Sequence, residues 1–187
     1  RSVFKWGDPR EYKHPNDRLY FYMRELFSMT DESFRERTNE GDEPVKLSAR
    51  PKLDKKHVTA LTRIVGHENV TQDDYSRVRF ASGKTIEEAM RLRAGEAGPV
   101  ADAVVHPRSK DDVREIVNYC HKNAIPIYAF GAGSSVNFGP RPMKGGISLV
   151  LSTHMNRIIS LNEQNQTVTV QPGMFGKQYE DHLNRAP

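Results

Sequence analysis

Hydrophobic positions change their rhythm partway along the chain. Up to Leu92 they recur at spacings of three and four, the period of an amphipathic helix; beyond Gly98 short apolar runs alternate with such stretches. Between Pro15 and Phe27, Leu19, Tyr22, Met23, Leu26 and Phe27 share one helical face and predict core or partner packing. A charged connector with Pro and Gly follows from Thr30 to Pro51. Asp54 is placed to cap a helix whose apolar face is Val58, Leu61, Ile64 and Val65, with Gly66 to end it. Thr85 with Glu88 three residues on is a capping box, which predicts a helix over Ile86 to Leu92. Little in this half predicts a long strand.

After Gly98 the order is strand, helix, strand. Ala103 to Val105 is a short apolar strand, Ser109 and Asp112 open a helix carrying Val113, Ile116, Val117 and Cys120, and Asn123 closes it. Ile125 to Phe130 follows as a buried strand, and a β-α-β unit of this length makes the two strands parallel in one sheet. Three further strands are predicted at Ile147 to Leu151, Ile158 to Leu161 and Thr167 to Gln171, the last two joined by the polar turn Asn162 to Gln166. Phe175 to Leu183 reads as a final helix. The fold class is therefore α/β, with a parallel sheet preceded by a mainly helical extension, and the change of character near Gly95 sets the expected division at 1–94 and 95–187.

Composition narrows the function classes. Charged residues make up 28% and apolar ones 36%, with a mean hydropathy of −0.71, which describes a soluble protein with a modest core. No apolar run is long enough to cross a membrane, and the basic start from Arg1 to Arg10 lacks the apolar stretch of a signal peptide. A net charge of +4 is compatible with phosphate or anionic lipid, but its Lys and Arg are interspersed with acids and no exposed aromatic series is present, so nucleic acid is not expected as a partner. The single Cys120 reads as a small buried apolar residue on its helix. None of the seven histidines forms a metal-binding pattern, so no metal is expected. His106 and His154 stand near strand ends, and Arg141 and Lys144 follow the glycine loop; a structural or solvated role is the expectation for all four.

Two glycine motifs compete for the chemistry. Ser82-Gly83-Lys84-Thr85 looks like the tail of a nucleotide-triphosphate loop, but Val78 stands where that motif needs its first glycine. The second, Phe130-Gly131-Ala132-Gly133-Ser134-Ser135-Val136, leaves the carboxyl end of a predicted strand, where α/β sheets bind ligands. Its small residues let backbone N–H groups approach an anion, and its hydroxyls add donors. Val136 occupies the place of the third glycine of a dinucleotide fingerprint, and Pro140 and Pro142 prevent a helix from starting there, which disfavours a dehydrogenase-type fold. By composition alone, a structural turn and a phosphate site are equally good readings of this loop.

The order of segments decides between them. Pro99-Val100-Ala101-Asp102-Ala103-Val104-Val105-His106-Pro107, Asp111-Asp112-Val113-Arg114-Glu115-Ile116-Val117, Ile125-Pro126-Ile127 and the glycine-serine loop together resemble the first half of the FAD-binding (PCMH-type) domain of the vanillyl-alcohol-oxidase family. Met155-Asn156-Arg157-Ile158-Ile159 and Thr167-Val168-Thr169-Val170-Gln171-Pro172-Gly173 continue that resemblance, and Trp6-Gly7 with the helix from Thr85 to Gly95 is similar to alkylglycerone-phosphate synthases and their bacterial homologues.

Carried over residue by residue, the resemblance implies that Phe130, Gly131, Ala132, Gly133, Ser134, Ser135 and Val136 surround the FAD pyrophosphate and that Gly173 approaches the cofactor. Ala132 and Ser134 depart from the more usual Gly-Gly-Gly-Thr-Ser without removing a backbone donor. No histidine lies between Phe130 and Gly139, so noncovalent FAD is expected. The implied reaction is exchange of an acyl chain for a fatty alcohol on dihydroxyacetone phosphate; the alternative is oxidation of 2-hydroxy acids, and a more remote one a non-enzymatic anion-binding module. The substrate would be a small molecule or lipid, with peripheral membrane contact and a homodimer compatible with the full-length protein, in the cytoplasm of a bacterium or the peroxisome of a eukaryote. Catalytic residues would lie beyond Pro187, so the 187 residues alone are expected to bind FAD weakly and to have no turnover.

Overall fold

The computed structural model describes residues 14–35, 45–83 and 85–185. Trp6-Gly7, the middle of the connector, Lys84 and Ala186 lie outside the described residues. The chain divides into two compact units, Arg1–Pro44 and Val45–Pro187.

In the first unit, helix α1 (Asp17–Phe27) starts at Asn16, whose side chain accepts from the Leu19 N–H at 3.0 Å, and ends at the left-handed Ser28. A 3-10 turn, Asp31–Phe34, presents Phe34 to Tyr20 with ring centroids 4.8 Å apart, and Arg24 pairs with Asp31 at 3.1 Å. The expected burial of the α1 stripe is not met by the described residues of this unit: Leu19, Tyr22, Leu26 and Phe27 are all exposed. Among the described residues the turn Asp31–Phe34 packs on Tyr20 instead.

The second unit is built on a four-stranded sheet with spatial order β1 (Val70–Thr71), β2 (Ala103–Val105), β4 (Ile147–Val150) and β3 (Ile127–Phe130). Strands β2, β4 and β3 are parallel, and β1 closes the β2 edge antiparallel. The two strands of the β-α-β unit thus share a sheet and a direction, as expected, but β4 lies between them. All four residues of β4 are buried, as the centre of a parallel sheet requires.

Alternation along the strands sends Ala103, Val105, Ile147 and Leu149 to one face and Val104 and Val150 to the other. The first face carries α2 (Lys55–Val65) and α5 (Lys110–Lys122), whose Leu61, Val65, Ile116 and Cys120 are fully buried against it. His57 and the Tyr119 hydroxyl, 2.9 Å apart, link the two helices. Ser109 caps α5 by accepting from the Asp112 N–H at 3.1 Å, whereas Asp54 precedes α2 without a side-chain capping bond. On the opposite face Phe80 covers Val104, Phe130 and Val150.

Strand β1 and one short helix carry no pattern legible in the sequence. Strand β1 has two residues, too few for a period, and α3 (Asp74–Arg79) has six; Asp73 caps α3 by accepting from the Ser76 N–H at 2.8 Å. Within α3, Arg77 is 1% exposed and its guanidinium donates to the carbonyls of Ala101 at 2.9 Å and Ala49 at 3.0 Å. Helix α4 (Ile86–Arg93) begins at the Thr85–Glu88 capping box as read from the sequence. The compact unit that contains the sheet therefore begins at Val45, and residues 45–94 include the helix α2 that covers one of its faces.

The last two expected strands form, but apart from the parallel sheet. Strands β5 (Ile158–Asn162) and β6 (Thr167–Val170) pair antiparallel as a separate hairpin, because the short turn between them permits only that arrangement. Asn162 Oδ1 accepts from the Asn165 N–H at 2.9 Å within the turn, and helix α6 (Gly176–Leu183) ends the described chain. No helix among the described residues is long and apolar enough to cross a membrane.

Candidate functional site

Because β2, β3 and β4 run in one direction, the residues that follow them, His106, Gly131 and Leu151, emerge at one edge of the sheet. The chain leaves β3 at the buried Phe130, whose carbonyl accepts from the Leu151 N–H at 2.9 Å. It then forms an open cleft of about 570 Å³ lined by residues 129–137 with Gly139 and Pro140. Gly133 turns the loop with φ +72°, a conformation that side chains disfavour. The Ser135 hydroxyl lies 2.8 Å from Asn137 Oδ1 and donates to it.

The backbone N–H groups of Gly131, Gly133, Ser134, Ser135 and Val136 make no hydrogen bond with any described residue. Elsewhere in a folded chain such groups are almost always paired or solvated, so a run of free donors on small residues is a feature that an anion satisfies. Gly173 has a different part. Its N–H donates to the Met155 carbonyl at 2.8 Å, and its missing side chain lets it lie against the Leu151 carbonyl and Ser152. The preceding Pro172 carbonyl borders Gly131, which brings the β6 end beside the loop.

An aromatic bridge supports this edge. Phe80 meets Phe130 edge-on at 5.1 Å and His106 at 5.5 Å between ring centroids. His106 Nδ1 is 2.7 Å from the Thr153 hydroxyl. Burial, then the neighbouring His154 and Arg79, push the His106 pKa down to about 4, so its ring is neutral at ordinary pH. His154 Nε2 is 2.7 Å from Oδ1 of the buried Asn69, whose amide group donates to the Val65 carbonyl; that orientation makes His154 the donor. Both histidines are thus engaged by protein partners. Arg141 stacks over Phe138 at 5.4 Å, and the Lys144 N–H donates to the Tyr128 hydroxyl at 3.0 Å.

Sequence reasoning passed over two residues of this region. Gly83, dismissed with the failed triphosphate motif, is buried and lies against Ser135, and Glu88, read only as a helix cap, donates nothing but accepts from the Gly83 N–H at 3.2 Å. A larger cleft of about 880 Å³ opens at the other edge of the sheet, between residues 46–52, 95–102 and 142–145. Its buried acid, Asp102, is already occupied by the N–H groups of Lys52 and Gly146, both at 2.8 Å. Among the described residues no group of His, Cys, Asp and Glu is arranged to hold a metal.

The family model for an FAD-binding domain matches residues 101–186, from the residue before Asp102 through α6. This segment belongs to the FAD-binding domain family. Its cofactor is FAD, and the free amides and small residues of the loop fit the diphosphate of that cofactor. The glycolate oxidase subunit GlcD of Bacillus subtilis is 40% identical over 115 residues, covering 62% of this chain and 22% of that protein. The alkyldihydroxyacetonephosphate synthase of Dictyostelium discoideum is 24% identical, covering 96% of this chain and 33% of its own length. A solved alkyldihydroxyacetonephosphate synthase superimposes with a TM-score of 0.69 at 23% identity over 75% of this chain and 26% of that one, which shows a shared fold. The chain spans about a fifth to a third of the length of these relatives.

Proposed function

We propose that this chain supplies the first half of the flavin site of an alkylglycerone-phosphate-synthase-like enzyme, in which residues 95–187 open the PCMH-type FAD-binding domain and residues 1–94 precede it as an extension. Phe130, Gly131, Ala132, Gly133, Ser134, Ser135 and Val136 hold the FAD diphosphate, and Gly173 brings the β6 end alongside. The observation that carries this reading is the run of unpartnered amides at Gly131, Gly133, Ser134, Ser135 and Val136 along one cleft at the carboxyl edge of a parallel sheet. A bound flavin supplies the reactive centre; this chain binds and orients it, and the loop N–H groups neutralise its diphosphate. The flavin is held noncovalently, consistent with the absence of histidine between Phe130 and Gly139.

The synthase reading is supported by the match that extends over 96% of the chain and so includes most of the segment ahead of the FAD-binding domain. A second reading, oxidation of 2-hydroxy acids, is favoured by the 40% identity to a glycolate oxidase subunit. In either case the substrate is a small molecule or lipid. A homodimer and peripheral membrane contact belong with the synthase reading, in the bacterial cytoplasm or the eukaryotic peroxisome. The deciding experiment is anaerobic titration of the full-length protein, followed by flavin absorbance, with D-2-hydroxy acids and with acyl-dihydroxyacetone phosphate. Bleaching by a hydroxy acid selects the second reading; conversion of the acyl substrate in the presence of a fatty alcohol selects the first. After acid precipitation the flavin is expected in the supernatant, and yellow colour retained in the pellet would overturn noncovalent binding.

A further inference from the structure

We infer that Gly83, held by the buried carboxylate of Glu88, is a positioning residue that orients the Ser135–Val136 peptide of the FAD loop; this rests on the reading that the loop binds the FAD diphosphate. The segment Ser82-Gly83 leads into α4, and a side chain on Gly83 would place its Cβ 2.3 Å from the Ser135 carbonyl oxygen, 3.0 Å from its carbon and 3.2 Å from the Ser135 Cβ. Two of those three neighbours are backbone atoms, which cannot swing aside as the end of a long side chain can. Gly83 does not have a positive φ, so what the position requires is space rather than left-handed backbone.

The Ser135 carbonyl therefore rests on a position that only the absence of a side chain lets a backbone approach so closely. Because no described peptide bond is cis, the Val136 N–H lies opposite that carbonyl across the peptide plane and points away from Gly83. This N–H has no partner among the described residues, and Val136 lines the cleft. Seating the carbonyl on Gly83 thus fixes the direction in which one of the loop's donors is offered.

Gly83 is itself held in place from two sides. Its N–H donates to Glu88 Oε1 at 3.2 Å, while Oε2 of the same carboxylate accepts from the Thr85 N–H at 3.3 Å and the Thr85 hydroxyl at 3.0 Å. Glu88 is 6% exposed and stands in the first turn of α4, where the helix favours a negative charge. Upstream, the Phe80 carbonyl accepts from the Ser148 hydroxyl of β4 at 3.0 Å, and the Phe80 ring packs on Phe130 at the start of the loop. The stretch that connects α3 and α4 is thereby tied to the same sheet from which the loop emerges, and its glycine sets the loop's far side.

The test uses the full-length protein stripped of flavin and titrated with FAD, comparing wild type with Gly83→Ala, Glu88→Ala and Gly131→Val. Gly83→Ala is expected to weaken FAD binding about tenfold or more, since the loss of one well-aimed charge-assisted hydrogen bond is of that order. In the remaining complex the phosphorus resonances of the bound diphosphate should move. Glu88→Ala adds no bulk and serves if Gly83→Ala does not fold; it should weaken FAD and speed hydrogen exchange at residues 131–136. Loss of FAD binding in Gly131→Val with unchanged affinity and phosphorus spectra in both other variants would overturn the role of Gly83. Unchanged FAD binding in Gly131→Val would overturn the loop reading itself.

Discussion

The ring of Phe130 fills the space that a side chain on Gly133 would need, with its Cζ 2.6 Å from where that Cβ would stand. The last residue of β3 and the turn of the loop are therefore fitted to each other, and the positive φ of Gly133 adds a second demand for glycine. Gly133→Ala should cost about 1–2 kcal/mol of stability through its backbone conformation alone. Displacement of the Phe130 ring should also lower FAD affinity about tenfold. Urea unfolding of the flavin-free full-length protein and FAD titration measure the two effects separately.

Acid should destabilise the fold through His106. Its folded pKa is depressed to about 4 from an ordinary value of 6.5, by burial first and then by His154 and Arg79. Between those two values the unfolded chain binds a proton that the folded chain refuses, so the contribution is complete above pH 6.5 and is lost as pH falls toward 4. The melting temperature of wild type should drop across that window more steeply than that of His106→Gln. Parallel pH profiles of the two proteins would refute the assignment.

Arg77 is a buried charge held by two carbonyls and by the Asp74 carboxylate at 3.4 Å. Arg77→Met removes the donors that satisfy Ala101 and Ala49 in a site almost closed to water. A loss of about 3 kcal/mol is expected, read as a lower urea midpoint with unchanged slope.

Cys120 should be inert in the native protein. Its side chain is fully buried between α5 and the sheet, and burial raises its pKa to about 11. Almost none of it is thiolate at neutral pH, so a thiol reagent should label it slowly in the folded protein and rapidly in denaturant. Rapid native labelling would contradict the packing of α5.

Local chemistry made most of the elements legible. The Thr85–Glu88 box, the Ser109 cap, Gly66 and the spacing of Leu61, Ile64, Ile116 and Cys120 each act within one or two turns, and the helices they predict form with nearly the predicted limits. The glycine-serine loop was legible as small residues after a strand, and the order of segments around it identified an FAD-binding domain. Capping and periodicity say nothing about which strands become neighbours. That β4 enters between β2 and β3, and that β5 and β6 stand apart, was decided by burial of β4 on both faces and by the reach of the connections.

The sequence alone determined the starts of α2, α4 and α5, the strand segments from β2 to β6 and the loop of small residues after β3, because each depends on residues close along the chain. Tertiary structure alone decided that Gly83 lies on Ser135, that Phe80 bridges Phe130 and His106, and that Arg77 ends among carbonyls at Ala49 and Ala101. These contacts join segments separated by about 25 to 50 positions, and their energies come from space, burial and dielectric, quantities that exist only once the chain has closed on itself.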